Sequence, residues 1–218
     1  MAQIRELKKR MIAVRTIQRI TKTMQMIATA KFTAALARAK ATRPYTDRIR
    51  GLVGEVAAAA GDDFSHPLMK APAAPVGREL VLVITSDRGL CGGLNSQMFR
   101  RLLADMRSWQ EKGVEIDLVC VGLKASTFFR RLKVNMLGSV THLGEQPQVE
   151  QLVGVIKVML DGYEAGSLDR VYLCYNDFIN TMSQKPTQDQ LLPLPASESL
   201  EYKHSWDYLY EPDAQVVL

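Results

Sequence analysis

Cysteine is scarce in this chain: Cys91, Cys120 and Cys174 are the three thiols in 218 residues, far apart and without a CxxC pair. That pattern excludes a disulfide framework and a cysteine-rich zinc site, and it fits a reducing interior. Histidine is equally sparse. His66, His142 and His204 lack the HxxxH spacing of a metal site, and none lies beside Cys91 to act as its base, so neither metal ligation nor thiol catalysis finds support. No window approaches the roughly 18 uninterrupted apolar residues of a membrane span; even "LVGVIKVMLDGYEAG" carries Lys157 and Asp161. Acidic residues are nearly missing from the first 50 positions, where Glu6 and Asp47 stand against 13 Lys and Arg. Aromatics are missing there too, with Phe32 alone before Tyr45.

What remains is ordinary globular composition, 47% hydrophobic and 23% charged, in a length that fits one or two domains. The net charge of +5 joins unlike parts, +11 up to Arg50 and −6 beyond it. A basic arm on a mildly acidic body suits an anionic partner, whether nucleic acid, lipid headgroups or an acidic protein face. Arg5, Lys8, Lys9, Arg15, Arg19 and Lys22 could neutralise phosphates, but the interleaved aromatics of a single-strand binding surface are lacking. The Arg-rich start also mimics a transit peptide, a reading that loses ground because its apolar pattern runs unbroken into a longer helix.

That helix is predicted from Ile4 to about Ala60, rich in Ala, Arg, Lys, Met and Gln, with one interruption at Pro44. If continuous it would be roughly 80 to 90 Å long at about 1.5 Å per residue, longer than a domain core can cover, so it must project. Ile4, Leu7, Met11, Val14, Ile17, Ile20, Met24 and Ile27 step by 3, 4, 3, 3, 3, 4 and 3, a coiled-coil seam with one stammer near Val14 to Ile17. Such a seam needs a partner helix of similar length, and the rest of the sequence predicts none.

"GDDFSHPLMKAPAAPVG" (61–77), broken by Pro67, Pro72 and Pro75, reads as a linker. Beyond it, strands at Leu80–Thr85, Ile116–Val121, Val134–Val140 and Val171–Tyr175 alternate with helices at Asn95–Lys112, Lys124–Leu132 and about Gln148–Tyr163. This alternation indicates an α/β sheet with helices packed on it. "PTQDQLLPLP" reads as an extended edge segment, because Pro193 and Pro195 cannot donate to a central ladder. "SWDYLYEPDAQVVL" supplies helix-start signals and stops at Leu218 like a helix cut short, whose continuation would be the natural partner of the N-terminal seam.

"SDRGLCGGLN" (Ser86–Asn95) is a glycine-rich turn between a strand and a helix, a place where many proteins hold a phosphate. Dinucleotide sites use GxGxxG and P-loops GxxxxGK[ST]. Here Gly89, Gly92 and Gly93 are spaced GxxGG, and no Lys-Ser or Lys-Thr follows. Three readings remain: a phosphate site, a tight turn with Asn95 or Ser96 as N-cap, and a loop whose glycines let another protein approach closely. The spacing favours the second.

Five stretches, in order along the whole chain, resemble the gamma subunits of F-type ATP synthases: "RTIQRITKTMQMIATAKF" (15–32), "TSDRGLCGGLN" (85–95), "FINTMSQ" (178–184), "LLPLP" (191–195) and "SWDYLYEPD" (205–213). The resemblance implies an α/β protein with a long N-terminal coiled-coil helix and a Rossmann-like domain whose helices pack on a mostly parallel sheet. It divides the chain into a shaft helix (1–60), a linker (61–77), a foot domain (78–195) and a foot segment that begins a truncated C-terminal helix (196–218).

The implied role is that of a central rotor shaft, one copy per complex. It couples ion-driven rotation of a c-subunit ring to ATP synthesis or hydrolysis in a ring of three alpha and three beta subunits, with no catalytic residue, cofactor or metal of its own. By the same resemblance Arg15, Arg19, Lys22, Met24, Ile27 and Lys31, with Arg88, Gly89, Leu90 and Cys91, meet the moving domains of the beta subunits. The acidic stretch those domains carry in the family gives the basic arm a protein partner and makes nucleic acid unnecessary. Tyr202, Trp206, Tyr208 and Tyr210 match the foot region facing the epsilon subunit and the c ring, on the cytoplasmic face of a bacterial inner membrane. Two features depart from the family: Gln25 stands where a Glu is usual, and the family continues past "YEPD" into another long helix. Nothing matches the regulatory cysteine pair of chloroplast members, so thiol control is not expected. The competing readings are a nucleotide-binding α/β protein using the Gly89–Asn95 turn and a nucleic-acid-binding basic helix.

Overall fold

The computed structural model describes residues 2–59, 66–72 and 74–194, which divide into two compact units, a helical one and an α/β one. The helical unit is α1, Ala2–Ala59, 58 residues without a break and so about 87 Å long. The interruption expected at Pro44 does not occur. Proline removes one N–H and with it the bond to the Lys40 carbonyl, a cost of about 3 kcal/mol in a helix interior. Lys40 is exposed, so water can take that carbonyl, and long runs of helix formers on either side carry the backbone through. Seven threonines between Thr16 and Thr46 turn their hydroxyls back onto carbonyls of the preceding turn, at 2.9–3.4 Å. Their polar groups are thereby satisfied within the helix itself.

The α/β unit is built on five strands, β1 (Arg78–Ile84), β2 (Glu115–Val121), β3 (Asn135–Val140), β4 (Arg170–Asn180) and β5 (Ser183–Leu192), with helices α2 (Leu94–Glu111), α3 (Leu123–Arg131) and α4 (Val153–Glu164). The sheet order is β3-β2-β1-β4-β5. The first four strands are parallel, and β5 pairs antiparallel with β4 at the edge. Three elements differ from the sequence reading. The helix expected from Gln148 opens as a 3-10 turn, Val149–Gln151, ahead of α4. Strand β4 runs to Asn180 instead of ending at Tyr175, and the edge strand begins at Ser183. Pro186 is tolerated in β5 because that strand pairs on one side only.

Side chains alternate across the sheet with the strand period of two. Val81, Val83, Ile116, Leu118 and Cys120 face the layer of α2 and α3, where Phe99 stacks on Phe128 with ring centroids 4.3 Å apart. Leu80, Leu82, Val119 and Val121 face α4. The chain moves outward from β1 to β3 and then back across to β4, so right-handed crossovers put α4 on the face opposite α2 and α3. Both faces of the central strands are therefore buried, which explains their near-continuous apolar sequence.

The described part of the stretch read as a linker is bound to this unit. Leu68 packs against the core beneath α4, and its carbonyl accepts from the Leu194 amide at 2.9 Å. The Tyr163 hydroxyl donates to the Lys70 carbonyl at 2.8 Å. The Asp169 carboxylate accepts the amides of Val76, Gly77 and Arg78.

Candidate functional site

Each residue of an α-helix turns by about 100°. Arg15, Arg19 and Lys22, at i, i+4 and i+7, therefore share one face of α1 with Lys8. Met24, Ile27 and Lys31, at i, i+3 and i+7, share another with Ile17 and Ile20, roughly 150° round the axis. All of these side chains are exposed. The predicted helix residues thus form a basic stripe and an apolar face, not a single patch. From Ile4 to Ile27 the seam side chains are 48–63% exposed, an uncovered apolar row of the kind that marks an interaction surface.

Arg88, Gly89, Leu90 and Cys91 stand together in the other unit, on the loop that leaves the C-terminal end of β1, and all four are exposed. Leu90 is 95% exposed with φ at +62°. Leucine in the left-handed region costs about 1–2 kcal/mol, and here that strain holds an apolar side chain out in solvent. Inside the loop, the Ser86 hydroxyl donates to the Arg88 carbonyl at 2.7 Å. The Asn95 carboxamide turns back to donate to Ser86 Oγ at 2.8 Å and to Cys91 Sγ at 3.4 Å.

The N-cap of α2 is Gly93, without a side-chain cap, which corrects the expected Asn95 or Ser96. Asn95 is buried and spends its amide on the loop, while the Ser96 hydroxyl donates to the Gly93 carbonyl at 3.1 Å.

Beneath the loop, the Thr85 amide and hydroxyl donate to the Val121 carbonyl, and Thr85 Oγ1 accepts from the Ala125 amide at 3.0 Å. Gly122 is required there: its φ is +101°, and a Cβ would come within 2.3 Å of the Thr85 carbonyl oxygen. Asp87 accepts the Leu123 amide at 2.8 Å. Burial pushes its carboxyl up, but bonds from the Leu123, His142 and Leu143 amides and the nearby His142 outweigh this, and its pKa lies below the ordinary aspartate value.

The strand order reverses at β1, and doubly wound proteins hold nucleotides at such a switch point, outside the carboxyl ends of the strands. Here the crevice is occupied by protein. Asn176 on β4 donates to the Leu94 carbonyl at 3.4 Å and reaches Met98 Sδ at 3.7 Å, while Asn95 and Met98 are buried. Among the described residues no group of three His, Cys, Asp or Glu side chains could hold a metal. Sequence reasoning missed Thr85, Asp87, Asn95 and Asn176 as the frame of this loop. The one signal available was their polarity beside an apolar strand or helix. Tyr202, Trp206, Tyr208 and Tyr210 lie outside the described residues.

A long helix with an uncovered apolar seam and a doubly wound sheet are the features that a subunit of a larger assembly presents. The model of the ATP synthase family matches residues 3–218, and the chain belongs to that family. It is 52% identical to the ATP synthase gamma chain of Xanthomonas axonopodis pv. citri (strain 306), covering all of this chain and 75% of that protein. The gamma chain of Xylella fastidiosa (strain M12) matches equally, at 52% identity, with all of this chain and 75% of that protein covered. Among solved structures, the Tetrahymena thermophila mitochondrial ATP synthase central stalk and c ring is similar at a TM-score of 0.58 and 25% identity, over 91% of this chain and 83% of that one.

Proposed function

We infer that the chain works as the gamma subunit of an F-type ATP synthase, the non-catalytic central shaft that couples rotation of a c ring to ATP synthesis or hydrolysis in the alpha and beta subunits. The observation that carries this is the 58-residue helix with its seam uncovered, in a chain matched along its length by gamma chains. Its partners are the ring of three alpha and three beta subunits, the epsilon subunit and the c ring. The nucleotide reading is not favoured, because the turn lacks a phosphate motif and its crevice is occupied by Asn95, Asn176 and Met98.

Two surfaces support contact with the beta subunits: the stripe of Arg15, Arg19 and Lys22 with the face of Met24, Ile27 and Lys31, and the loop from Arg88 to Cys91. Complementary charge along the stripe would set register more than bulk affinity. Residues 1–60 serve as the shaft and 78–195 as the foot, with 61–77 connecting them and Tyr202, Trp206, Tyr208 and Tyr210 facing epsilon and the c ring. Among the described residues no helix is long and apolar enough to cross a membrane, which fits a subunit of the F1 part of a membrane-bound complex. Its place is the cytoplasmic face of a bacterial inner membrane.

Native mass spectrometry of the protein purified untagged from its own cells tests the reading. One copy held with three alpha and three beta subunits is expected. A lone chain of 24.4 kDa carrying a nucleotide would overturn it and return the glycine turn to candidacy as a binding site.

A further inference from the structure

Strands β4 and β5 outlast the sheet. Strand β1 pairs with β4 only as far as Cys174, whereas β4 and β5 stay paired out to Asn180 and Ser183. The result is a two-stranded ribbon reaching about 20 Å beyond, at roughly 3.3 Å per residue. Because β4 runs parallel to β1, the ribbon leaves the same end of the sheet as the Ser86–Gly93 loop.

Its tip is apolar and stiff. Met182 is 91% exposed and Ile179 55% exposed. Asn180 Oδ1 accepts the amides of Met182 and Ser183, each at 2.9 Å. The Gln184 side-chain carboxamide donates through Nε2 to the Asn180 and Thr181 carbonyls at 3.1 and 3.4 Å. Asp177 stands opposite Lys185 across the ladder, so the shaft of the ribbon is balanced in charge. At the base, Asn176 ties the ribbon to Leu94, at the start of the helix that ends the loop. Loop and ribbon are therefore two prongs on one footing, each showing an uncovered apolar side chain.

We propose that the tip from Ile179 to Met182 is a second contact prong beside the Arg88–Cys91 loop, and that both prongs engage the beta subunits through their exposed apolar side chains. The proposal rests on the rotor reading. Three observations carry it: the shared sheet end, the joined bases, and an apolar tip whose conformation is fixed before any partner arrives, which lowers the ordering cost of a small contact. Methionine suits the position because its unbranched thioether side chain adapts to several surfaces, and a rotor meets three copies of its partner in turn.

The test places the photo-crosslinking amino acid benzoylphenylalanine at position 90 or at position 182 in the assembled synthase, and identifies the captured subunit by mass spectrometry. Both side chains are nearly fully exposed, so neither replacement disturbs the core. Capture of a beta subunit from both positions is expected. If position 90 captures beta and position 182 captures another subunit or nothing, the ribbon proposal falls and the loop reading stands. If position 90 captures no beta subunit, the loop reading falls and the shared surface falls with it.

Discussion

Ile20 in α1 and Leu102 in α2 are aliphatic side chains of the same size on helical backbone, yet 54% of Ile20 is exposed and none of Leu102. Leu102 lies against a sheet whose other face is covered as well. Ile20 belongs to the apolar row that stands exposed along α1. The difference teaches that apolar periodicity serves two ends here: in the α/β unit it stabilises the fold, and along α1 it leaves a surface open to a neighbour. Stability of the isolated chain and stability of the complex should accordingly respond to different substitutions.

The sharpest break in that comparison is a matched pair of truncations. Leu102→Ala should cost the α/β unit about 2–5 kcal/mol in denaturant unfolding. Ile20→Ala should change the isolated chain by less than about 0.5 kcal/mol and show its cost only as weaker retention in the assembled complex. An equal loss for both in the isolated chain would mean that the seam is already covered.

Next in size is Asp169→Asn. The carboxylate holds three successive amides of the segment entering β1, and charge-assisted bonds of this kind contribute about 1.5–3 kcal/mol. Hydrogen exchange at residues 76–78 should speed up while α1 is unaffected.

A smaller effect is expected from pH. Burial, the largest influence, pushes the Glu79 carboxyl above its ordinary value, and Asp169 adds to this, against the opposing pull of Arg170 and Lys112. The raised value means that the folded state holds its proton more tightly than the unfolded one. The contribution is fully present below the ordinary glutamate pKa and is lost as pH rises through the folded value. Glu79→Gln, which removes the titrating group, should flatten that slope in denaturant melts at stepped pH.

The smallest perturbation counts thiols. Burial pushes Cys120 and Cys174 up to about 11, whereas Cys91 is exposed. One equivalent should react with a thiol reagent in the native protein at pH 8, and three after denaturation. A second fast thiol would show that the sheet opens readily.

Much of this was legible in the sequence because it depends on local periodicity. The step pattern from Ile4 to Ile27 marked the shaft, and the alternation after Leu80 marked the sheet. Pro44 was misread because the freed Lys40 carbonyl is open to water and long runs of helix formers on either side offset the missing bond. Within the stretch read as a linker (61–77), the anchoring of 66–77 to the α/β unit was not legible because its partners, Tyr163 and Asp169, lie about 93 residues away. Asn95 was taken for a cap because asparagine favours that position. Its side chain is drawn instead to Ser86, nine residues back, a choice made by loop packing.

By itself the sequence determined the charge asymmetry, the seam, the order of strands and helices and the family, since each depends on residue identity and spacing along one segment. Only the tertiary structure decided which faces are covered, that the crevice beside β1 is closed by Asn95, Asn176 and Met98, and that the loop and the ribbon leave one end of the sheet. Those outcomes require strands distant in sequence to be neighbours, and hydrogen-bonded register between them sets which side chains meet.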